Sequence, residues 1–403
     1  MNILVLNSGS SSQKSCLYEI SDALPDSPPA PLWEGKIEWR GTRAKLSVRA
    51  EGGAEQTEEV DSQSRADGTR RLLKALGSAS SGDAKNGRKI AAAGHRIVNG
   101  GADYVLPQRI TGEVKAAIEA TAVFAPLHNR VELEGIRLIE EAFGALPQFA
   151  VFDTGFHRGI PDAAAIYPGP YEWAERGIRR YGFHGINHQY CAERAVRLLE
   201  KKPSELRLVS CHLGNGCSLA AIRDGRSVDT TMGFTPLEGL MMGTRSGSVD
   251  PGILTFLLRE QKASGEQLDD LLNKKSGLLG ISGVSSDMRE VVAAMRQGHA
   301  RAKLAFDIFV HRLCTGIAAM TAAAGGLDAL VFTAGIGENS PEVRSAACAG
   351  LRFLGILLDE AKNASTRGDG LISTSESGVR VLVVKAQEDW AIAKECWKLL
   401  RRT

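Results

Sequence analysis

The sequence predicts an α/β protein of two domains, and three observations predict it. Short apolar runs at 3–6, 149–152, 206–209, 329–332 and 381–384 are rich in β-branched residues and have the length of buried strands. Helical patterns lie between them, and strands alternating with helices imply α/β layers. The length of 403 residues exceeds one ordinary core and suits two, at roughly 100 to 200 residues per domain.

The elements follow in chain order. Run 3–6 ends at polar Asn7 and gives way to the turn Ser8-Gly9-Ser10-Ser11-Ser12. The start carries no basic leader and no apolar core long enough for a signal peptide, which reads as a cytoplasmic protein. No uninterrupted apolar stretch approaches the roughly 20 residues that span a bilayer. Residues 51–89 are rich in Gly, Ser, Asp and Lys and read as a peripheral excursion with one short helix near 69–76. Run 206–209 repeats the opening arrangement. It meets His212-Leu213-Gly214-Asn215-Gly216-Cys217-Ser218, continues into a strand-like stretch at 219–222, and turns back at Asp224-Gly225, a strong hairpin dipeptide. Two such units, one per half, imply duplicated domains facing a shared nucleotide cleft. Phe306, Val310, Leu313, Ile317 and Met320 recur on one helix face. Run 329–332 leads into a third glycine turn, Thr333-Ala334-Gly335-Ile336-Gly337-Glu338-Asn339, ahead of a helix start at Ser340-Pro341-Glu342.

Composition narrows the function classes. A formal net charge of +2 provides no global field for nucleic acid or an anionic membrane, so any basic chemistry must be local. The seven cysteines are odd in number and scattered without a CxxC pair, which reads as idle thiols in a chain large enough to fold without staples.

The three glycine turns expose backbone N–H groups that can hold phosphate oxygens. None matches the GxxxxGK[ST] loop or the GxGxxG fingerprint, so neither P-loop nor Rossmann chemistry is indicated. Arg96 precedes a Gly100-Gly101 pair and Arg245 sits in Gly243-Thr244-Arg245-Ser246-Gly247. Glycines around an arginine let a planar oxyanion approach closely enough for a bidentate grip. Asp153 and Glu388 follow strand ends, where open α/β sheets carry their ligands, and hard carboxylate oxygens beside nucleotide phosphates suit Mg²⁺. His157, His184, His188 and His212 all lie near glycines. His184, between Gly182-Phe183 and Gly185, is the preferred catalytic imidazole.

With these motifs in order, the sequence resembles the acetokinase family of the acetate and sugar kinase, Hsp70 and actin superfamily. The resemblance runs from Asn2 to about residue 396. It rests on residues 7–14, 94–101, 125–129, 152–154, 179–185, 212–216, 233–247 and 335–339. It implies a ribonuclease H-like fold with duplicated domains around a nucleotide cleft: 1–153, completed by 390–403, and a nucleotide-binding domain 154–389. It implies reversible phosphoryl transfer between ATP and acetate, giving ADP and acetyl phosphate, with Mg²⁺ as cofactor and Mn²⁺ able to replace it. Asn7 and Glu388 would hold the metal, and Asp153 would orient substrate or metal. Arg96 and Arg245 would bind the carboxylate and the transferring phosphoryl group, while His184 would donate to the phosphoryl oxygens. Val98, Leu127, Phe183 and Pro236 would line the acyl pocket. Lys14, His212, Leu213, Gly214, Asn215 and Gly216 would meet nucleotide phosphates, and Asp287, Met288, Arg289, Gly335, Ile336, Gly337 and Asn339 would bound the adenosine. A homodimer through the C-terminal half is implied too. Three places depart from the family pattern: Asn99 stands for a common His, Ile186-Asn187 for Thr-Ser, and Ala386-Gln387-Glu388-Asp389 for Thr-Asn-Glu-Glu.

The chemistry agrees from first principles. A free carboxylate with a pKa near ~4 is ionised at neutral pH and needs no general base. Catalysis then reduces to holding two anions in line and neutralising charge on the equatorial oxygens. A propionate or butyrate kinase is the nearest rival, and β-branched Val98 favours the smaller acid. A nucleotide-switched protein of the chaperone or actin type is the rival from another class. It would leave Arg96 and Arg245 without a substrate, and the chain to Thr403 shows no separate client-binding domain.

Overall fold

The computed structural model describes residues 1–9, 12–40, 43–61, 64–81, 89–121 and 129–402. The chain divides into two compact units, Met1–Gly155 with Gln387–Thr403, and Phe156–Ala386. This division puts Glu388 and Asp389 with the first unit.

The first unit carries an eight-stranded sheet. Its strands are β1 (Asn2–Ser8), β2 (Ser12–Glu19), β3 (Trp33–Arg40), β4 (Arg43–Ala50), β5 (Gln56–Asp61), β6 (Ile90–Ile97), β7 (Gln108–Arg109) and β8 (Gln148–Phe152), in the order β5-β4-β3-β2-β1-β6-β8-β7. β1 lies at the centre, antiparallel to β2 and parallel to β6. Ile3, Leu4, Val5 and Leu6 are all buried, as a strand covered on both faces requires. The helix Glu388–Leu400 packs on β1 and β6 and returns the chain end to this sheet.

Residues 51–89 correct the expectation of a peripheral excursion. They supply β5 and a helix, Arg65–Ser81, longer than the one predicted, which packs on β3 and β4. Leu72, Leu73 and Leu76 join a core cluster with Leu4, Trp33 and Ile37. Burying each such leucine contributes roughly 1.5–3 kcal/mol. The stripe is narrow and its surroundings polar, so periodicity alone understates a helix that the sheet completes.

The second unit carries β9 (Arg207–Leu213), β10 (Cys217–Arg223), β11 (Arg226–Thr230), β12 (Ala329–Thr333), β13 (Gly370–Leu371) and β14 (Arg380–Val383), ordered β11-β10-β9-β12-β14-β13. Here β11, β10 and β9 are antiparallel, and β12 and β14 run parallel to β9. The run β3-β2-β1-β6-β8 has the same order and the same directions. The expected duplication is therefore a repeated five-strand unit. Registers agree to the residue: Asn7 pairs with Lys14 one step before the hairpin's last pair, and His212 pairs with Ser218 at the corresponding step.

The helix Ala300–Ala324 is long and apolar enough to cross a membrane by length and composition. It instead lies on β9, β10 and β11 with Phe306, Leu313, Ile317 and Met320 buried.

Candidate functional site

In the first unit the strand ends gather charge. Asn7 lies one residue before the end of β1, and its Nδ2 donates to Glu388 Oε2 at 3.1 Å and Asp389 Oδ1 at 3.0 Å. Both carboxylates lie in the first turn of the helix Glu388–Leu400, where the helix dipole favours acids. Asp389 also pairs with Lys14 at 2.9 Å. Arg96, one residue from the end of β6, donates from Nη2 to Asp153 Oδ2 at 2.7 Å and from Nη1 to the Ser8 carbonyl at 3.3 Å. Asp153 follows β8 and is fully buried, so its carboxylate is a partner of Arg96 rather than a helix cap. The Arg96 Nε is buried and finds no hydrogen-bond partner among the described residues.

The electrostatics follow from crowding. Burial pulls the Arg96 guanidinium down, yet Asp153, Glu388 and Glu132 together outweigh it and hold the group above its ordinary range. Burial raises the Glu388 carboxyl; Arg96 opposes that rise and Asp153 adds to it. A buried carboxyl repelled by a second one is relieved by a cation, and Asn7 adds an amide oxygen. The donor set thus fits Mg²⁺ held through one or two carboxylates with the remaining places left to phosphate and water. Among the described residues no group of three or more His, Cys, Asp and Glu side chains forms a metal cage.

Val98 is buried, and its N–H donates to Glu132 Oε1 and Oε2 at 3.2 and 3.1 Å. Asn99, at a departure from the family pattern, accepts from Gly101 N–H at 2.8 Å and so closes the turn after β6. Leu127 lies outside the described residues.

In the second unit four predicted segments converge on the β9–β10 turn. A Cβ added at Gly216 would lie 3.4 Å from His184 Nε2 and 3.6 Å from Arg245 Nη1. One added at Gly243 would fall 2.2 Å from Asn215 Oδ1 and 3.0 Å from the Ser286 carbonyl, and one at Gly214 would lie 3.8 Å from Ala334 Cβ. At Gly243 the absence of a side chain is what lets the loops touch. His184 caps the helix Gly185–Leu198 with φ 57° and ψ 24°, a left-handed conformation costing on the order of 1–3 kcal/mol for a residue with a side chain. Its ring stacks on His212, with centroids 3.9 Å apart and planes 12° apart. Arg245 Nη1 donates to the Pro236 carbonyl at 2.6 Å.

The remaining predicted residues have mixed placements. Phe183 and Leu213 are buried. Asp287 caps the helix Met288–Arg296 and pairs with exposed Arg289, while the Met288 side chain is 2% exposed. The turn after β12 is itself helical, Ala334–Asn339, so Gly335, Ile336 and Gly337 lie in a helix where a loop was expected. Its Asn339 donates back to the Gly335 carbonyl at 2.9 Å. Glu338, which sequence reasoning passed over, accepts from the N–H groups of Ala334 and Ala386 at 2.9 and 2.8 Å and ties that turn to the end of the unit. Also missed were Asp389, Glu132, Ser218 and the role of Asn187, whose partners lie far off in sequence.

Comparison with known proteins follows this geometry. The Acetokinase family model matches residues 2–394. An acetate kinase of Nostoc punctiforme is 58% identical over 407 residues, covering the whole of both chains. One of Cyanothece sp. is 55% identical, covering 100% of this chain and 99% of its own. The crystal structure of Porphyromonas gingivalis acetate kinase superposes with a TM-score of 0.88 at 39% identity, covering 99% of each chain. That of a propionate kinase from Francisella tularensis also reaches 0.88, at 38% identity and 98% coverage of each.

Proposed function

This chain belongs to the acetokinase family, and from that premise we propose that it transfers a phosphoryl group reversibly between ATP and acetate. The carboxylate oxygen of acetate attacks the γ-phosphorus, the bond from that phosphorus to the bridging oxygen breaks, and ADP leaves as acetyl phosphate forms. The observation that carries this reading is that each unit holds an anion-gripping centre: Arg96 with its unpartnered, buried Nε in one, and Arg245 with His184 beside the Gly216 turn in the other.

Residue roles follow the chemistry. Arg96 holds the acyl carboxylate, and Asp153 keeps its guanidinium oriented. The family resemblance assigns the methyl group to Val98, Leu127, Phe183 and Pro236, of which Leu127 lies outside the described residues. Arg245 and His184 carry charge that builds on the equatorial oxygens, where a preorganised donor acts most strongly. The turn from His212 to Gly216 receives phosphates, with Lys14 as a further cation, and Asp287, Arg289, Gly335, Ile336, Gly337 and Asn339 bound the adenosine. Met288 belongs to that boundary too, at the start of the helix Met288–Arg296. Asn7 and Glu388 hold Mg²⁺, which when bound supplies charge neutralisation on the nucleotide phosphates. A cytoplasmic location belongs to the same reading.

The protein works as a homodimer through the second unit. Supporting this, the helix Pro251–Glu260 has no buried residue although it presents Ile253, Phe256 and Leu258, each 45–50% exposed. Exposed apolar surface of that density marks an interaction face.

The test is ADP formation from ATP with acetate, propionate or butyrate as acceptor, each with and without Mg²⁺. Acetate- and Mg²⁺-dependent turnover with the highest kcat/KM for acetate is expected. Turnover independent of any acid would overturn the reading, and a higher kcat/KM for propionate would move it to the rival acid.

A further inference from the structure

Four imidazoles of the second unit stand in line. His157 meets His188 with centroids 5.8 Å apart, His188 meets His212 at 6.1 Å, and His212 stacks on His184. Their ring nitrogens are threaded by short polar side chains. The Ser218 hydroxyl lies 2.9 Å from His184 Nδ1 and 2.8 Å from His188 Nε2, and the Ser210 hydroxyl lies 3.0 Å from His188 Nδ1. Asn187 Nδ2 lies 2.9 Å from His212 Nδ1 and 3.3 Å from Thr333 Oγ1.

Donor counting decides the protons. An amide nitrogen only donates, so a proton on His212 Nδ1 would face the Asn187 N–H head-on. As placed, the amide turns its oxygen toward Cys191, whose thiol donates to Asn187 Oδ1 at 3.8 Å. Burial raises that thiol to about 12 and keeps it protonated. With the amide in this orientation His212 carries its proton on Nε2.

For His184 the Ser218 hydroxyl has one hydrogen and two ring nitrogens to satisfy. If His188 donates from Nε2 to Ser218, then Ser218 donates to His184 Nδ1 and Ser210 donates to His188 Nδ1. Every hydrogen then finds a nitrogen or oxygen acceptor. The reverse chain leaves the Ser210 hydrogen to the weak sulfur acceptor of Cys191. Burial, reinforced by His157 and His212, holds His188 well below its ordinary range, so it carries a single ring proton.

We propose that Asn187 and the chain Ser210–His188–Ser218 are positioning groups that lock His212 and His184 in the Nε2–H tautomer. The two stacked rings then offer parallel N–H donors to the glycine turn. The geometry agrees: a Cβ at Gly214 would lie 3.8 Å from His212 Nε2, and one at Gly216 would lie 3.4 Å from His184 Nε2. The consequence for phosphoryl transfer rests on the function proposed above, because a ring with an unprotonated Nε2 would turn a lone pair toward an anion.

The test is tautomer-resolving ¹H–¹⁵N long-range NMR of the full-length protein labelled with ¹⁵N-histidine, at a pH where the rings are neutral. Signals are assigned with His184→Gln and His212→Gln. The expected result is a single Nε2–H tautomer for both rings. Asn187→Ala should convert only the His212 signal, and Ser218→Ala only the His184 signal, to a mixture, with Ser218→Thr restoring the lock. An Nδ1–H form or a mixture at either ring in the unsubstituted protein overturns the inference, whether or not the variants fold. So do variants that fold and leave both signals unchanged. The spectra need no turnover, so locked tautomers in a protein without acetate-dependent ADP formation would uphold this inference and sink the functional reading.

Discussion

At the scale of single residues, buried charge governs the first unit. Arg96 is 12% exposed and Asp153 not at all, and removing one partner of such a pair leaves an uncompensated charge costing about 3–5 kcal/mol. Arg96→Lys keeps the charge and loses the planar grip, so it separates function from folding. We expect kcat to fall on the order of 10²-fold with the melting temperature close to that of the parent; a near-parental kcat would remove Arg96 from the acyl site. Glu132 offers a pH test. Burial pushes its carboxyl from the ordinary 4.5 up to about 8, with Arg96 pulling the other way. The folded state then binds this proton more tightly than the unfolded chain does. That contribution is complete at acid pH and is lost as pH rises through about 8. Glu132→Gln stays neutral, so it should gain stability relative to the parent between pH 5 and 9, by up to about a few kcal/mol. Urea midpoints measured across that range check this, and a difference that stays constant with pH would exclude it.

At the scale of elements, hairpins and loops hold the chemistry in register. The β9–β10 turn has a backbone that alanine can adopt at Gly216, yet the added Cβ would press on His184 Cε1 at 3.3 Å and Nε2 at 3.4 Å. Gly216→Ala should therefore shift unfolding free energy by under about 1 kcal/mol while displacing the imidazole. Small misplacements of reacting groups cost on the order of 10²-fold in rate. Parallel melting curves and steady-state rates distinguish the two effects, and an unchanged kcat would mean the turn does not set the position of His184.

At the scale of the whole molecule, the proposed groups are distributed over both units. Asn7, Arg96, Asp153 and Glu388 belong to the first, and His184, His212 and Arg245 to the second. Neither unit holds the full set. The exposed apolar helix Pro251–Glu260 belongs to the second unit alone. Phe256→Asp should turn a dimer into a monomer in sedimentation velocity at micromolar concentration, because a charge at an apolar contact centre is left without a partner. A parental protein that sediments as a monomer would dismiss the dimer.

The amino-acid sequence by itself determined the α/β class, the duplication, and the strand ends and turns where charged and glycine-rich segments gather. Apolar runs of strand length, and glycine turns directly after them, are local signals that need no partner to be recognised. Arg96, Asp153, Asn7 and the turn at 212–216 were legible for that reason. Only the tertiary structure decided which groups share a proton or a charge. Asp389 serves Asn7 and Lys14 across more than 370 positions of chain, Ser218 joins two histidines that precede it by 30 and 34 positions, and Leu72 gains its meaning from a sheet built elsewhere. Hydrogen bonds and ion pairs act over a few ångströms of space, whereas periodicity reports only neighbours along the chain, so these pairings become visible when the sheets bring distant strand ends together.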